Sequence, residues 1–352
     1  MIAGDGTRVE AGASLMPSPQ ASRQVFLAGH SGLVGGAIER AFRATGYGAL
    51  IVASIDSIDL REQASVRDFF AARRPDAVII AAARVGGIVA NWEEPYEFIA
   101  DNLAIELNLI DAAFRSGVRD LIFLGSSCIY PREAHQPLKE EYLLSGPLEE
   151  TNRAYAIAKI AGIELCRSLN REYGANYLAL MPTNLYGPGD NFDLRTSHVL
   201  PALIRRFHEA KLGLPDEHGA ARGPHAPVTL WGTGTPRREF LYVDDLATAV
   251  RHVFENVKAA DVPDGLLNVG CGADQTIAEL ATAVQKAVGH QGAIDWDASK
   301  PDGTPRKLLD VSRLAATGWR QTVPLEDGIS RTYAWYLDHC TDDAGAFVDP
   351  RT

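Results

Sequence analysis

Gln24-Val25-Phe26-Leu27-Ala28-Gly29-His30-Ser31-Gly32-Leu33-Val34-Gly35 is the stretch that decides how this chain folds. Its opening is a short apolar run stopped by Gly29, which reads as a strand buried on both faces of a parallel sheet. Three glycines follow at G-x-x-G-x-x-G spacing and open a helical run. Such glycines let the turn close and let backbone approach a pyrophosphate, which sits at the positive end of the helix. A tight turn without a ligand is the alternative reading of any three glycines. Their placement directly between a strand and a helix favours a dinucleotide loop.

Outward from this stretch the same rhythm repeats. Leu33 to Thr45 is expected to be a helix, Ala49 to Ser54 a second strand, Ser65 to Arg73 a helix and Ala77 to Ala83 a third strand. A long helix follows Tyr96 and reaches Ser116, Leu121 to Gly125 is a fourth strand, a helix carries Tyr155 to Tyr173, and Tyr177 to Met181 is a fifth strand. This alternation predicts an α/β fold with a doubly wound parallel Rossmann sheet. After Pro182 the texture changes. A helix is expected from about Ser197 to Lys211, an exposed Gly/Pro/His-rich loop from Gly213 to Pro227, and a short strand from Val228 to Trp231. Asp244 to Val257 reads as a helix with Asp at its start as N-cap, Leu266 to Val269 as a strand, and Thr276 to Val288 as a helix with Glu and Gln facing water. The C-terminal part is therefore a smaller mixed α/β substrate domain. The boundaries expected are 1–22 as a disordered extension, 23–190 as the Rossmann domain, which also receives the 244–257 helix, and 191–352 as mainly the substrate domain.

Composition narrows the function classes. The 352 residues are 46% hydrophobic and 22% charged, an ordinary globular balance with enough chain for one large or two smaller cores. A net charge of −11 argues against a general nucleic-acid binder. No run of about 18 apolar residues exists to span a membrane, and the N-terminus lacks the apolar core of a signal peptide. Cys128, Cys166, Cys271 and Cys340 show neither CxxC spacing nor a disulfide framework, so free thiols in a reducing cytoplasm and no metal site are expected.

The chemistry concentrates in two runs. Tyr155 and Lys159 stand four apart, hence on one face of a helix. A phenol beside an ammonium is expected to have its pKa pushed downward, and reduction of a ketone needs such a proton donor as hydride arrives. Leu124-Gly125-Ser126-Ser127-Cys128-Ile129-Tyr130-Pro131 closes the fourth strand, at the end of the sheet where ligands bind. Ser126 and Ser127 there either bond a substrate carbonyl or satisfy a strand end. Cys128 is either a buried thiol or an acid/base on carbon. The end of the second strand, Val52-Ala53-Ser54-Ile55-Asp56, offers neither an acid placed for ribose hydroxyls nor an arginine for a 2′-phosphate, so NADP and NAD both stay open.

At this point the chain resembles the extended short-chain dehydrogenase/reductase superfamily and, within it, the GDP-L-fucose synthase family. Besides the glycine loop and Tyr155-x-x-x-Lys159, the stretches that carry the resemblance are Ala82 to Ile88, Leu124 to Pro131, Tyr155 to Gly162, Met181 to Gly187, Ser197 to Leu203 and Lys300 to Lys307. The resemblance implies 3,5-epimerisation and NADPH-dependent 4-reduction of GDP-4-keto-6-deoxy-D-mannose. Tyr155 would be the proton donor, Lys159 its partner on the nicotinamide ribose, Ser126 and Ser127 would hold ketone and cofactor, and Cys128 and His198 would exchange protons with sugar carbons. Cofactor contacts would come from Gly29, Ser31, Gly32, Leu33, Val34, Gly35, Asp59, Leu60, Leu124, Lys159, Pro182, Thr183, Asn184, Leu185 and His198. The GDP-sugar would meet Arg206, Trp231, Arg238, Asp302 and Lys307, each of which, read singly, is also an ordinary surface or core residue. Ala53 and Ser31 stand where many members carry arginine, which bears on cofactor preference and not on the chemistry. The resemblance also implies a homodimer through the helices around Asn102–Phe114 and Ala156–Leu169. Two other readings are another GDP-4-keto-deoxy sugar, as in GDP-L-colitose synthesis, and a non-catalytic dinucleotide sensor.

Overall fold

The computed structural model describes residues 21–300 and 302–350, so the expected extension lies, but for its last two positions, outside the described residues. In chain order the elements are β1 (Val25–Ala28), α1 (Leu33–Ala44), β2 (Leu50–Val52), α2 (Gln63–Arg73), β3 (Ala77–Ile80), α3 (Ile88–Glu93), α4 (Pro95–Arg115), β4 (Asp120–Leu124), α5 (Arg153–Tyr173), β5 (Asn176–Pro182) and β6 (Asn184–Tyr186). They continue with α6 (Val199–Leu212), β7 (Val228–Trp231), β8 (Arg237–Tyr242), α7 (Val243–Asn256), β9 (Leu266–Val269), β10 (Asp274–Thr276), α8 (Ile277–Val288), β11 (Ile294–Asp297), β12 (Arg306–Lys307), α9 (Ser312–Ala316) and α10 (Leu325–His339).

Six strands form one parallel sheet in the order β2-β1-β3-β4-β5-β9. Its strands are apolar but for Asp120, Asn176 and Asn268, because helices cover both faces. Val25 and Leu27 face a layer with Ile38 and Phe42 of α1 and Leu246 and Val250 of α7. Phe26 and Ala28 face the other way, against Phe70 of α2, Leu109 of α4 and Ile163 of α5. The chain reverses direction across the sheet between β1 and β3, so a ligand crevice opens where the loops after these two strands part.

The second, smaller core gathers Ile204 and Phe207 of α6, Leu230 of β7, Phe240 of β8, Leu280 and Val284 of α8 and Tyr336 of α10. Antiparallel β10 and parallel β12 flank β8, and β6 joins it off that path.

Three local readings change. Leu266–Val269, read as part of the C-terminal unit, sits on the edge of the parallel sheet beside β5, and α7 alone is not what returns to the first core. The N-cap of α7 is Tyr242 without a side-chain bond, because Asp244 lies inside the first turn and reaches Arg40 at 2.7 Å instead. Gln285 of α8 is only partly exposed; it donates to the Gly292 carbonyl at 2.7 Å and holds the following turn. Thr276, by contrast, forms a full capping box with Glu279.

Candidate active site

The dinucleotide loop meets the loop after β3 directly. Gly29 has φ +87°, and a Cβ there would lie 2.6 Å from the Ala82 amide nitrogen. A Cβ on Gly35 would lie 1.9 Å from the Gly29 carbonyl oxygen, so the turn closes only with glycine. Gly32 is different: a Cβ there meets nothing nearer than 3.8 Å, and the space stays open above the N-terminus of α1. No side chain caps that terminus and no acid occupies its first turn, where Leu33, Val34 and Gly35 lie. The His30 Nδ1 atom is buried there without a hydrogen-bond partner among the described residues. An open cradle, uncapped amides and an orphaned ring nitrogen fit an anionic dinucleotide. Ser31 is exposed at its rim.

Beside the crevice, Asp59 is held at a pKa of about 2, first by the Arg61 side chain, which donates at 2.7 and 3.0 Å, and then by the Arg61 amide. The Leu60 carbonyl accepts from Asn108 at 3.1 Å, which ties this turn to α4. Pro182 pairs with Val269, Thr183 and Asn184 both donate to the Glu239 carbonyl (3.2 and 2.8 Å), and Leu185 packs into the first core.

Ser126, Ser127, Cys128, Tyr155 and Lys159 come together at the end of β4. Ser126 caps the short turn Ser127–Ile129, its hydroxyl accepting from the Cys128 amide at 3.3 Å, and it is close enough to Tyr155 to act on the phenol. Lys159 is buried; its Nζ donates to the Leu124 carbonyl at 3.1 Å and lies 3.0 Å from Glu106. The Tyr155 ring packs edge-on against Phe98 and lies 5.7 Å from Lys159 Nζ.

One expectation reverses. The Tyr155 phenol is raised well above the ordinary tyrosine value: burial dominates, and Cys128 and Glu106 add to it against the influence of Ser126. The Lys159 ammonium does not depress it because Glu106 neutralises that charge at 3.0 Å. The phenol therefore keeps its proton. Burial likewise pushes the Cys128 thiol up, opposed by Lys307, Ser126 and Lys159.

His198 is the N-cap of α6, with no side-chain cap bond. Its ring reaches solvent yet is crowded by protein, and that desolvation lowers its pKa. It adjoins the same crevice: a Cβ on Gly87 would lie 3.3 Å from the Ser197 carbonyl, and Gly86 abuts Phe98, the neighbour of Tyr155.

On the far side, Lys307 and Arg238 face each other across the β12–β8 pair. Burial lowers the pKa of both. Among the described residues neither has a carboxylate at ion-pair distance; Glu149, whose charge Lys307 feels, lies 3.5 Å from Arg132. Like charges side by side and partly desolvated are costly without an anion between them. Trp231 is 57% exposed, with Lys300 Nζ 5.4 Å above its ring. Asp302 accepts from the Thr233 amide and hydroxyl at 2.7 and 2.8 Å, which fixes the turn after Trp231. Arg206 is engaged differently: Glu217, in the loop between α6 and β7, holds its guanidinium in a bidentate pair at 2.5 and 3.0 Å.

Sequence reasoning missed Glu106, Glu239 and Glu217. Glu239 is fully buried and accepts from the Gly272 and Leu309 amides at 2.7 and 3.0 Å. A signal existed for Glu106: it sits at i+8 from Phe98 and i+4 from Asn102, on the face of α4 that the apolar periodicity assigns to the interior.

An anion that takes Arg206 must displace Glu217. Glu217→Gln is accordingly expected to tighten GDP binding about two- to fivefold, the worth of a partly exposed ion pair, measured by titration calorimetry. Unchanged or weaker binding would contradict this.

Residues 25–270 match the NAD dependent epimerase/dehydratase family. The chain is 51% identical to a GDP-L-fucose synthase of Escherichia coli (strain K12) over 322 residues, 90% of this chain and 97% of that one. It is 37% identical to a GDP-L-colitose synthase of Yersinia pseudotuberculosis, over 91% of this chain and 100% of the other. Its fold matches MlghC, a GDP-mannoheptose C4 reductase from Campylobacter jejuni solved with NADP bound, with a TM-score of 0.81 at 35% identity over 90% of this chain and 99% of that one. By the family match over residues 25–270 and the identity over nine-tenths of its length, the chain belongs to the NAD dependent epimerase/dehydratase family and, within it, to the GDP-L-fucose synthases.

Proposed function

We propose that this chain converts GDP-4-keto-6-deoxy-D-mannose to GDP-L-fucose by epimerising C3 and C5 and reducing the C4 ketone with NADPH. The observation that carries the reading is the position of Cys128. Its thiol feels Lys307, on the side of the unpaired cations, and Lys159, on the side of the proton donor. One hexose ring held between these two sets meets both chemistries.

A C4 ketone acidifies the hydrogens on C3 and C5, because the carbanion delocalises into an enolate. Removing a proton from one face and returning one to the other inverts the carbon. Cys128 and His198 are the two groups in the crevice able to exchange those protons, a thiol and an imidazole. Ser126 and Tyr155 are neighbours and together offer the ketone oxygen its donors. Tyr155 protonates that oxygen as it becomes an alkoxide. Gly29 to Gly35, Lys159 and Pro182 to Leu185 would hold NADP, which when bound supplies the hydride. Arg238 and Lys307 neutralise the diphosphate, Trp231 stacks on the base, and Arg206 joins them once freed from Glu217. The high Tyr155 pKa suits this role, since the donor stays protonated across the physiological range.

The identity to a GDP-L-colitose synthase favours a second reading, an epimerase/reductase on another GDP-4-keto-deoxy sugar. Incubation with both keto sugars separates the two by relative kcat/KM.

Cys128, Cys166 and Cys271 are free thiols, which supports a cytoplasmic site of action, and no helix among the described residues is long and apolar enough to cross a membrane. A homodimer fits an apolar groove on the outer faces of α4 and α5. Leu103 and Leu107, exposed by 37% and 47%, line it with Ala161 and Leu165. Leu107→Arg is expected to leave the chain monomeric in sedimentation, where the wild type sediments as a dimer; an unaltered dimer would place the interface elsewhere.

Tyr155→Phe tests the chemistry. It is expected to lose reduction by about 10²–10⁴-fold while still exchanging solvent deuterium into the sugar ring, followed by NMR. Reduction at wild-type speed would remove Tyr155 as the donor.

A further inference from the structure

The buried face of α4 is a template for the catalytic face of α5. Phe98, Asn102 and Glu106 recur every four residues on α4 and so share one side. Phe98 packs on the Tyr155 ring. Asn102 accepts from the Arg84 amide at 2.9 Å and donates to the Arg84 carbonyl at 3.0 Å, which fixes the loop after β3. Glu106 lies 3.0 Å from Lys159 Nζ, and the two side chains are 1% and 2% exposed. Neither Glu106 oxygen has another hydrogen-bond partner among the described residues. Space for the carboxylate exists because residue 162 is glycine: a Cβ there would lie 2.8 Å from Glu106 Oε2 and 2.5 Å from the Phe123 ring. A buried carboxylate with a single partner is costly, and that partner is the lysine behind the proton donor.

We propose that Glu106 is a positioning residue for the reduction, acting through Lys159: its carboxylate holds the ammonium against the Leu124 carbonyl and balances its charge beside Tyr155. This rests on the reading of Tyr155 as the donor. The groups that face the pair are Tyr155 and Cys166 of α5 and Ser126 and Cys128 of the turn after β4, with Lys307 beyond Cys128. Among them Glu106 is one of two negative influences that keep the proton on Tyr155, the other being Cys128. With Glu106 neutral, the uncompensated ammonium favours phenolate, and the donor ionises at lower pH.

The experiment uses the full chain with GDP-4-keto-6-deoxy-D-mannose and NADPH, comparing wild type, Glu106→Gln, Glu106→Asp and Tyr155→Phe. Glu106→Gln is expected to lower kcat for reduction more than about tenfold and to move the alkaline limb of its pH profile down by about one unit, with solvent exchange at C3 and C5 little altered. Glu106→Asp keeps the charge but retracts it, so the limb stays and kcat falls by a smaller factor. A purely structural role would lower reduction and exchange together and leave the limb in place, and that result overturns the proposal, as does wild-type behaviour of Glu106→Gln. If Glu106→Gln does not fold, Glu106→Asp decides: reduced kcat for reduction with solvent exchange at C3 and C5 unchanged supports the proposal, and either wild-type kcat or a parallel fall in reduction and exchange contradicts it. If Tyr155→Phe reduces the ketone, the reading of the donor fails whatever Glu106 does; if Tyr155→Phe is inactive and Glu106→Gln behaves as wild type, only Glu106's role falls.

Discussion

A lysine ammonium buried between two helices needs a counter-charge where it stands, and Glu106 meets that need for Lys159 at 3.0 Å. Much of the site depends on this arrangement. It requires α4 and α5 to pack closely, which Gly162 permits; it draws Nζ to the Leu124 carbonyl; and it places Tyr155, one turn back along α5, against Phe98 and Ser126. Buried ion pairs are weak evidence for stability, since apolar residues of the same volume often do as well. An ion pair kept beneath the proposed proton donor has its rationale in the chemistry rather than in the fold.

The proposed substrate side obeys the opposite rule. Arg238 and Lys307 are neighbours on paired strands, partly desolvated, and without a carboxylate close by among the described residues. That is an unfavourable arrangement until an anion arrives, and a diphosphate carries the required charge and size. Arg206 is satisfied within the chain by Glu217. On the proposed reading, cations held ready for a ligand stand with one whose partner must be exchanged.

What could be read from the residues was what is locally determined. A strand buried on both faces is largely apolar, so β1, β3, β4, β5 and β9 were visible as short runs. Glycines at Gly29 and Gly35 are demanded by backbone contacts within a single turn. The spacing of Tyr155 and Lys159 is a property of any helix. What could not be read depends on tertiary neighbours. The downward shift expected for Tyr155 failed because the charge on Lys159 is cancelled by a residue some fifty positions earlier. The place of β9 in the sheet, the pairing of Arg206 and the absence of a side-chain cap on α7 are likewise decided by segments distant in sequence. Strands β6, β8, β10, β11 and β12 are two to six residues long and mostly polar, so periodicity had little to detect.

The central claim is that one hexose, held in one crevice, undergoes proton exchange at two carbons and hydride delivery at the carbon between them. Turnover of GDP-4-keto-6-deoxy-D-mannose in deuterated water, with NADPH carrying deuterium on its transferable position in a parallel run in ordinary water, reads each event separately in the product. The account predicts solvent deuterium at C3 and C5 with both centres inverted, and cofactor deuterium at C4 alone. A product labelled at C4 from the cofactor but unlabelled and uninverted at C3 and C5 would contradict it.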